Sequence, residues 1–390
     1  MKIVAFVGET FDSYNGNYYT KQTSAAFLQD AIGTESVYVC SPVKKVASLP
    51  LSYSTEVNES HFYPFPSYSS TKDFAIKSLF QRGYIKSYKL NADKVIAEHS
   101  GAYFWIRSPS MGSLLFGIQA LNAGEKVLHH MCADSSSTWK DPKYSFSEKV
   151  FGFLFSKYLR IKLKKICEHK NTINLCTGDV LETFSAKYSP KNTYQFVDLM
   201  AKKPGNIAPT LKRKTLFKML FLGRIVKDKG VFDLIQVANQ LKEKVELTII
   251  GDGADLDEAK QLVDSLSLQE TVTFTGLLPN SELSEYYNQT DVVVVPSNNH
   301  YEGFPRVIME GWAFNKPVIV SNTGGVKAFV KHNVNGLIFS PGNMQELSDS
   351  VNKLATDEVL YSQLQAEAKK MSVYSSQHYW IDFLKSLIAK

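Results

Sequence analysis

Cysteine is scarce: the four residues, Cys40, Cys132, Cys167 and Cys176, are scattered, with no C-x-x-C pair and no Cys/His cluster. That argues against structural zinc and leaves free thiols in a reducing compartment as the simplest reading. Long apolar runs are missing too. None approaches the ~20 residues a membrane helix needs. The opening run, Ile3 to Val7, is too short for a signal-peptide core and reads better as a buried strand. Charge of one sign is not concentrated. With 44 Lys+Arg against 38 Asp+Glu, the net +6 suits an anionic partner but lacks the clustered basic signal of a nucleic-acid binder. Neither half leads from its first strand into G-x-G-x-x-G, which disfavours a dehydrogenase. Low-complexity tracts and internal repeats are absent. What remains is a globular chain expected in the cytoplasm, dissolved or resting on a membrane face.

At 390 residues the chain exceeds what one core usually organises, so two domains are expected. Short apolar runs alternate with longer amphipathic stretches, the pattern of βαβ units and a parallel sheet. In the first half, strands are expected over 3–7, 37–40, 61–65, 103–107, 126–130 and 173–176. Helices are expected over 20–31, 71–84, 113–123 and 148–169. A stretch rich in Pro, Lys, Asn and Thr, 188–214, is the natural linker. A second series follows, with strands at 218–222, 246–250, 272–275, 292–295, 318–321 and 336–339. Its helices fall at 230–240, 256–266, 281–287 and 305–314, with a further unit at 326–330. The continuous Val/Ile/Leu character of 248–250 and 292–295 indicates strands covered on both faces. The fold class is therefore α/β, two Rossmann-like doubly wound parallel-sheet domains facing across a cleft. The expected division is 1–200, a linker over 201–215, a second domain over 216–372, and a terminal helix over 373–390 expected to pack back on the first domain. Ligands of such sheets bind beyond the carboxyl ends of the strands.

Four features of the second half sit where a strand gives way to a helix. Gly223-Arg224 opens the first loop, and Lys229-Gly230 closes it at a helix start. Two cations beside helix amides suit a diphosphate, although loop lysines and arginines are often merely solvated. Gly251-Asp252-Gly253 follows the next strand and is equally well explained as a tight turn. The third is Glu302-Gly303-Phe304-Pro305-Arg306…Glu310. Pro305 fits the first turn of a helix, and Asn315 fits its left-handed end. Glu302 then lies ahead of the helix and Glu310 inside it, on an otherwise apolar segment where a carboxylate wants a partner. Thr323-Gly324-Gly325 is a further loop of backbone donors, with plain turn chemistry as the alternative.

In this order and spacing, the series resembles the GT-B retaining glycosyltransferases with an E-x7-E motif, the large family 4 group within glycosyl transferases group 1. The supporting motifs are Gly223-Arg224…Lys229-Gly230, Gly251-Asp252-Gly253, Phe274-Thr275-Gly276, Pro296-Ser297, Glu302-Gly303-Phe304-Pro305…Glu310, Lys316-Pro317 and Gly324-Gly325. The match is close over 216–341. The resemblance implies a hexosyl-type transferase that moves a sugar, with retention, from a nucleotide-diphosphate sugar to an acceptor hydroxyl. Surface polysaccharide, lipopolysaccharide or a lipid-linked glycan would be the acceptor. It implies no cofactor and no required metal, which agrees with the absence of an Asp-x-Asp site where one would be expected. By resemblance, Arg224 and Lys229 hold the diphosphate, Glu310 the ribose, and Glu302 with the backbone of Gly303 and Phe304 the transferred sugar. Leu277 lies beside the base, and Gly223, Gly253 and Gly324 belong to the donor loops. Where the family usually has Glu-Ala-Met-Ala-x-Gly, this chain has Glu310-Gly-Trp-Ala-Phe-Asn315, so Trp312 reshapes the local packing.

In the first half, Gly16-Asn17 lies between the first strand and first helix, where its backbone could meet the donor phosphate or the acceptor. His129 and His130 close a strand, with Asp134 following. Because adjacent residues face opposite sides, at most one histidine is expected at the ligand, His130 being assigned to catalysis and His129 to the acceptor. Arg107 ends a strand and could meet an acceptor phosphate, with a plain surface arginine as the alternative. Residues 148–170 interleave aromatics with lysines, as a helix lying on an anionic inner-membrane surface does; a sheet-covering helix with a basic outer face is the alternative. Rivals to the transferase are another nucleotide-sugar enzyme (an epimerase or phosphorylase) and a non-catalytic sugar-nucleotide or glycan binder.

Overall fold

A computed structural model of the chain describes residues 1–21, 23–50, 53–140, 144–199, 207, 216–299 and 302–389. The linker expected over 201–215 lies outside the described residues apart from Ile207. The front of the Pro-rich stretch, 188–198, is described and is corrected from linker to part of the first unit, with a strand at Thr193–Gln195. Two compact units divide the chain, Met1–Asp198 and Leu199–Lys390.

The first unit contains strands β1 (Ile3–Phe6), β2 (Phe11–Tyr14), β3 (Asn17–Thr20), β4 (Val37–Lys45), β5 (Thr55–Asn58), β6 (Phe62–Phe65), β7 (Tyr103–Ser108), β8 (Lys126–Met131), β9 (Thr172–Cys176) and β10 (Thr193–Gln195). Its helices are α1 (Ser24–Ile32), α2 (Thr71–Phe80), α3 (Tyr84–Glu98), α4 (Met111–Asn122), α5 (Phe146–Cys167) and α6 (Asp179–Ala186). Strand order is β10-β9-β8-β7-β1-β4-β2-β3-β5, with β6 also on β4. The pairs from β10 to β2 are parallel, whereas β3 runs antiparallel to both β2 and β5. This hairpin corrects the expected helix over 20–31: α1 begins at Ser24, and Asn17–Thr20 are strand. Gly16 occupies its tip, where Asn15 (φ 48°) and Gly16 (φ 82°) take the paired left-handed conformations of a two-residue turn. Turn chemistry accounts for that glycine. The helix expected over 71–84 is likewise two helices, broken at Gly83 with φ 84°. Around β1, Phe6 and Phe65 pack against each other and each against Tyr88 and Phe116, with ring centroids 5.0–6.1 Å apart, and fill the core.

The second unit carries β11 (Phe217–Leu222), β12 (Val245–Ile250), β13 (Val272–Gly276), β14 (Val292–Val295), β15 (Val318–Ser321) and β16 (Leu337–Phe339). They form one all-parallel sheet in the order β13-β12-β11-β14-β15-β16. Between them run α7 (Val231–Gln240), α8 (Leu256–Ser265), α9 (Leu283–Gln289) and α10 (Arg306–Ala313), followed by α11 (Met344–Thr356), α12 (Glu358–Met371) and α13 (Gln377–Ile388). Val292 and Val293 are 0% exposed, as strands covered on both faces require. The order reverses between β11 and β14, the place in such sheets where loops part and ligands enter. α10 ends as expected: Asn315 takes φ 56°, and Lys316 N–H donates to Gly311 C=O at 2.9 Å. α13 belongs to the second unit, where Trp380 meets Phe329 edge-on with centroids 6.1 Å apart.

Candidate functional site

Four loops leave the carboxyl ends of β11, β12, β14 and β15, and backbone hydrogen bonds tie each to the next. Ile225 N–H donates to Asp252 C=O at 2.9 Å, joining the first two. Asn298 N–H donates to Asp228 C=O at 3.0 Å, joining the first and third, and Gly325 N–H donates to Gly303 C=O at 3.0 Å, joining the third and fourth. The four motifs thus form one continuous ledge.

The glycines are required by that closeness. At Gly324 (φ 54°), a Cβ would stand 2.1 Å from the carbonyl oxygen of Glu302. At Gly230 (φ 71°), it would stand 1.9 Å from that of Pro296. Gly253 has the same close-approach role against Ile225.

Lys229 ends a short 3-10 turn, Lys227–Lys229, just before α7. Its Nζ donates to Glu302 Oε2 at 2.5 Å, and both side chains are largely withdrawn from solvent. The same oxygen accepts from Asn299 Nδ2 at 3.0 Å, while Glu302 N–H donates back to Asn299 Oδ1 at 2.9 Å. Asn299 is 2% exposed and is a site residue the motifs did not reveal. It holds Glu302 at two points, the side-chain carboxylate and the backbone amide. Arg224 is exposed on the Lys229 loop, and Leu277, 68% exposed, follows β13. Such an exposed apolar side chain at a strand end offers a flat contact for a ring.

Glu310 has the partner its apolar helix demanded. Tyr287 Oη, on α9, donates to Glu310 Oε2 at 2.8 Å. Desolvation raises the Glu310 pKa above its ordinary value, against the lowering effects of that hydrogen bond and of Arg306. Tyr287 is itself held by stacking on Phe314, with ring centroids 4.9 Å apart and planes 10° apart. Phe304 is buried and packs 6.5 Å from Trp312 between centroids, so the departure from the family pattern is absorbed in the core.

The first-unit candidates fare differently. Both histidines are 0% exposed. His129 lies between Ser108 Oγ (3.0 Å from Nε2) and Asn174 Oδ1 (3.2 Å from Nδ1), and burial pushes its pKa down to about 4. The His130 Nε2 meets Thr177 Oγ1 at 3.0 Å, and its ring packs against Trp105 and Phe196. At most one ring is expected at a ligand and neither is exposed, so the assignments of His130 to catalysis and His129 to the acceptor are corrected: β8 lies inside the sheet with both faces covered, and alternation leads to two interiors. Arg107 is not a plain surface arginine. It forms an ion pair with Glu9. Burial opposes its charge, but Cys132, Glu9 and Asp198 outweigh that and hold its pKa above the ordinary value. Glu9, directly after β1, went unrecognised; its only sequence signal was an acid following Gly8. Asp134 Oδ1 accepts from Ser136 N–H at 2.9 Å, a local turn contact. Among the described residues, no three His, Cys, Asp or Glu side chains cluster to hold a metal ion.

Two Rossmann-like units in tandem, the second carrying an interlocked ledge of cations, acids and glycines, define the GT-B class. Residues 203–371 match the family described as glycosyl transferases group 1. An uncharacterized glycosyltransferase of Methanocaldococcus jannaschii is 32% identical over 172 residues, 44% of this chain and 43% of that one. The chain thus spans under half the length of that relative. A GDP-mannose-dependent alpha-(1-6)-phosphatidylinositol monomannoside mannosyltransferase of Mycobacterium tuberculosis is 25% identical over 281 residues, 68% of this chain and 69% of that one. In fold, the whole chain resembles HepE of Anabaena, solved with UDP, at a TM-score of 0.68 and 16% identity, with all of both chains covered.

Proposed function

We propose that this protein is a retaining glycosyltransferase that moves a hexosyl group from a nucleotide-diphosphate sugar to an acceptor hydroxyl. The observation that carries it is the Lys229–Glu302 contact at 2.5 Å, set into the ledge where strand order reverses. An ammonium held there supplies charge against a leaving diphosphate without reorganising during reaction. Arg224, exposed on the same loop, is assigned the diphosphate with it; together they supply the positive charge that a metal would otherwise bring, so the reaction is assigned no metal. Glu302 is assigned the transferred sugar, with the backbone of Gly303 and Phe304. Glu310 is assigned the ribose hydroxyls and Leu277 the base. Departure of the nucleoside diphosphate and attack by the acceptor on the same face give retention.

The acceptor is assigned as a glycan or lipid-linked glycan, supported by the lipid-linked substrate in the mycobacterial relative's name. The protein is assigned to the cytoplasmic side, in contact with the membrane surface. No described helix is long and apolar enough to cross a membrane. Thermal unfolding with UDP, GDP, ADP and CMP, and then with their sugars, tests the donor assignment, because a ligand of the native state raises the melting temperature by mass action. One of the four is expected to do so in the presence of EDTA. No shift with any of them removes the reading. Incubation of the donor sugar without acceptor separates a transferase, which yields no transferred product, from an epimerase.

A further inference from the structure

α5 is apolar on two opposite faces. Its inner face, with Leu159, Leu163 and Ile166 between 0% and 8% exposed, covers the sheet. A second stripe lies on the side away from that core. Phe146, Val150, Leu154 and Ile161 recur at helical spacing and are 84%, 46%, 62% and 66% exposed. A surface helix ordinarily presents polar residues there, so a contiguous outer apolar stripe marks an interaction surface. The helix needs no partner to form, since Ser145 and Glu148 close a reciprocal capping box at its start. Beneath its first turns lies a cavity of about 540 Å³ whose walls include Trp139, Tyr144, Phe151 and Phe155, with Lys72 at its wall. Phe151 belongs both to that wall and to the exposed surface.

Charge selects the occupant. α5 carries six cations (Lys149, Lys157, Arg160, Lys162, Lys164 and Lys165) against one carboxylate, Glu148, which faces Lys72 at 3.7 Å. Lys157 and Lys162 lie over the rings of Phe153 and Tyr158, with Nζ 5.1 and 5.2 Å from the centroids. Their stems therefore cover apolar surface while the ammonium groups stay outside. A second copy docking through the same face would set cations against cations. An anionic bilayer satisfies both halves of the surface, taking the apolar stripe into its acyl region and the cations at its phosphates.

We infer that the outer face of α5 docks on an anionic phospholipid bilayer and that the cavity beneath it takes one hydrocarbon chain from that bilayer. This deepens the acceptor side of the proposed function and rests on it for the purpose of docking, since a lipid-linked acceptor must be met at the membrane. Vesicle binding and nucleotide binding involve different units, so either can fail without the other.

The test is cosedimentation of the full chain with phosphatidylcholine vesicles, with and without phosphatidylglycerol. Binding is expected to require phosphatidylglycerol and to weaken as salt rises. A Leu154→Glu, Ile161→Glu variant should bind about tenfold more weakly or worse, while its melting temperature and nucleotide response stay unchanged. Brominated acyl chains should quench Trp139, because Trp105, Trp312 and Trp380 are at most 2% exposed; Trp139→Phe should abolish the quenching. The inference is overturned if the wild type stays in solution with phosphatidylglycerol vesicles or the variant binds equally well. It is also overturned if bromolipid leaves Trp139 unquenched. A concentration-dependent dimer that the variant dissolves would assign the face to a second copy instead.

Discussion

Tyr287 and Glu310, 23 residues apart on α9 and α10, share a hydrogen bond of 2.8 Å in which the phenol donates and the carboxylate accepts. Burial raises the pKa of both, and each also feels the other. The folded-state pKa of Glu310 therefore lies above its value in the unfolded chain. Its contribution to stability is fully present below the ordinary value of 4.5 and is lost as pH rises through the folded value. Glu310→Gln is expected to melt higher than the wild type at neutral pH, with the difference closing as pH falls below 4.5. The same variant is expected to bind nucleotide more weakly. Calorimetric scans across pH, with and without nucleotide, check both halves.

Lys229→Ala removes the ammonium from Glu302 and leaves the carboxylate to Asn299. If the lysine faces a leaving diphosphate, kcat/KM should fall by about 10²–10³, roughly 3–4 kcal/mol of transition-state stabilisation. Lys229→Arg should recover part of that loss. Steady-state kinetics settle the matter, and an alanine variant with wild-type turnover would remove the assignment.

At Gly324 a methyl group meets both a left-handed backbone and the Glu302 carbonyl, 2.1 Å from where the Cβ would stand. Gly324→Ala must shift the loop that carries Glu302. A stability loss of about 2 kcal/mol or more is expected, together with weaker binding of the nucleotide sugar than of the bare nucleotide. Urea unfolding and paired titrations would show it. Equal losses for both ligands would mean that Glu302 does not touch the sugar.

His129 gives the first unit an acid-sensitive interior. Its pKa falls from 6.5 to about 4 on burial. The lowered folded value means that the neutral ring's contribution is present above 6.5 and is lost as pH falls through about 4. Over that window, roughly 3 kcal/mol of stability should disappear. His129→Gln should flatten this part of the curve, as followed by urea unfolding at successive pH values.

Much of the second unit was legible because its strands are uninterrupted Val/Ile/Leu runs and its loops carry glycines where backbones nearly touch. The helix over 305–314 and the left-handed Asn315 follow from Pro305 and Lys316-Pro317 by local rules alone. Contacts between distant segments were not legible. Nothing in the spacing of Tyr287 and Glu310, or of Arg107 and Glu9, announces that they meet; only the sheet brings them together. Alternation misled at His129 and His130 because it separates two faces without saying that both are covered. The β2–β3 hairpin escaped because its strands are four residues each and mostly polar or aromatic, too short for a periodic signal.

The ledge has a kinetic consequence. Lys229 and Glu302 are separated by 73 residues, and the loops that carry them are brought together by the pairing of β14 with β11. Such distant closure follows the local helices during folding. Under the proposed function, affinity for the donor therefore depends on the finished sheet.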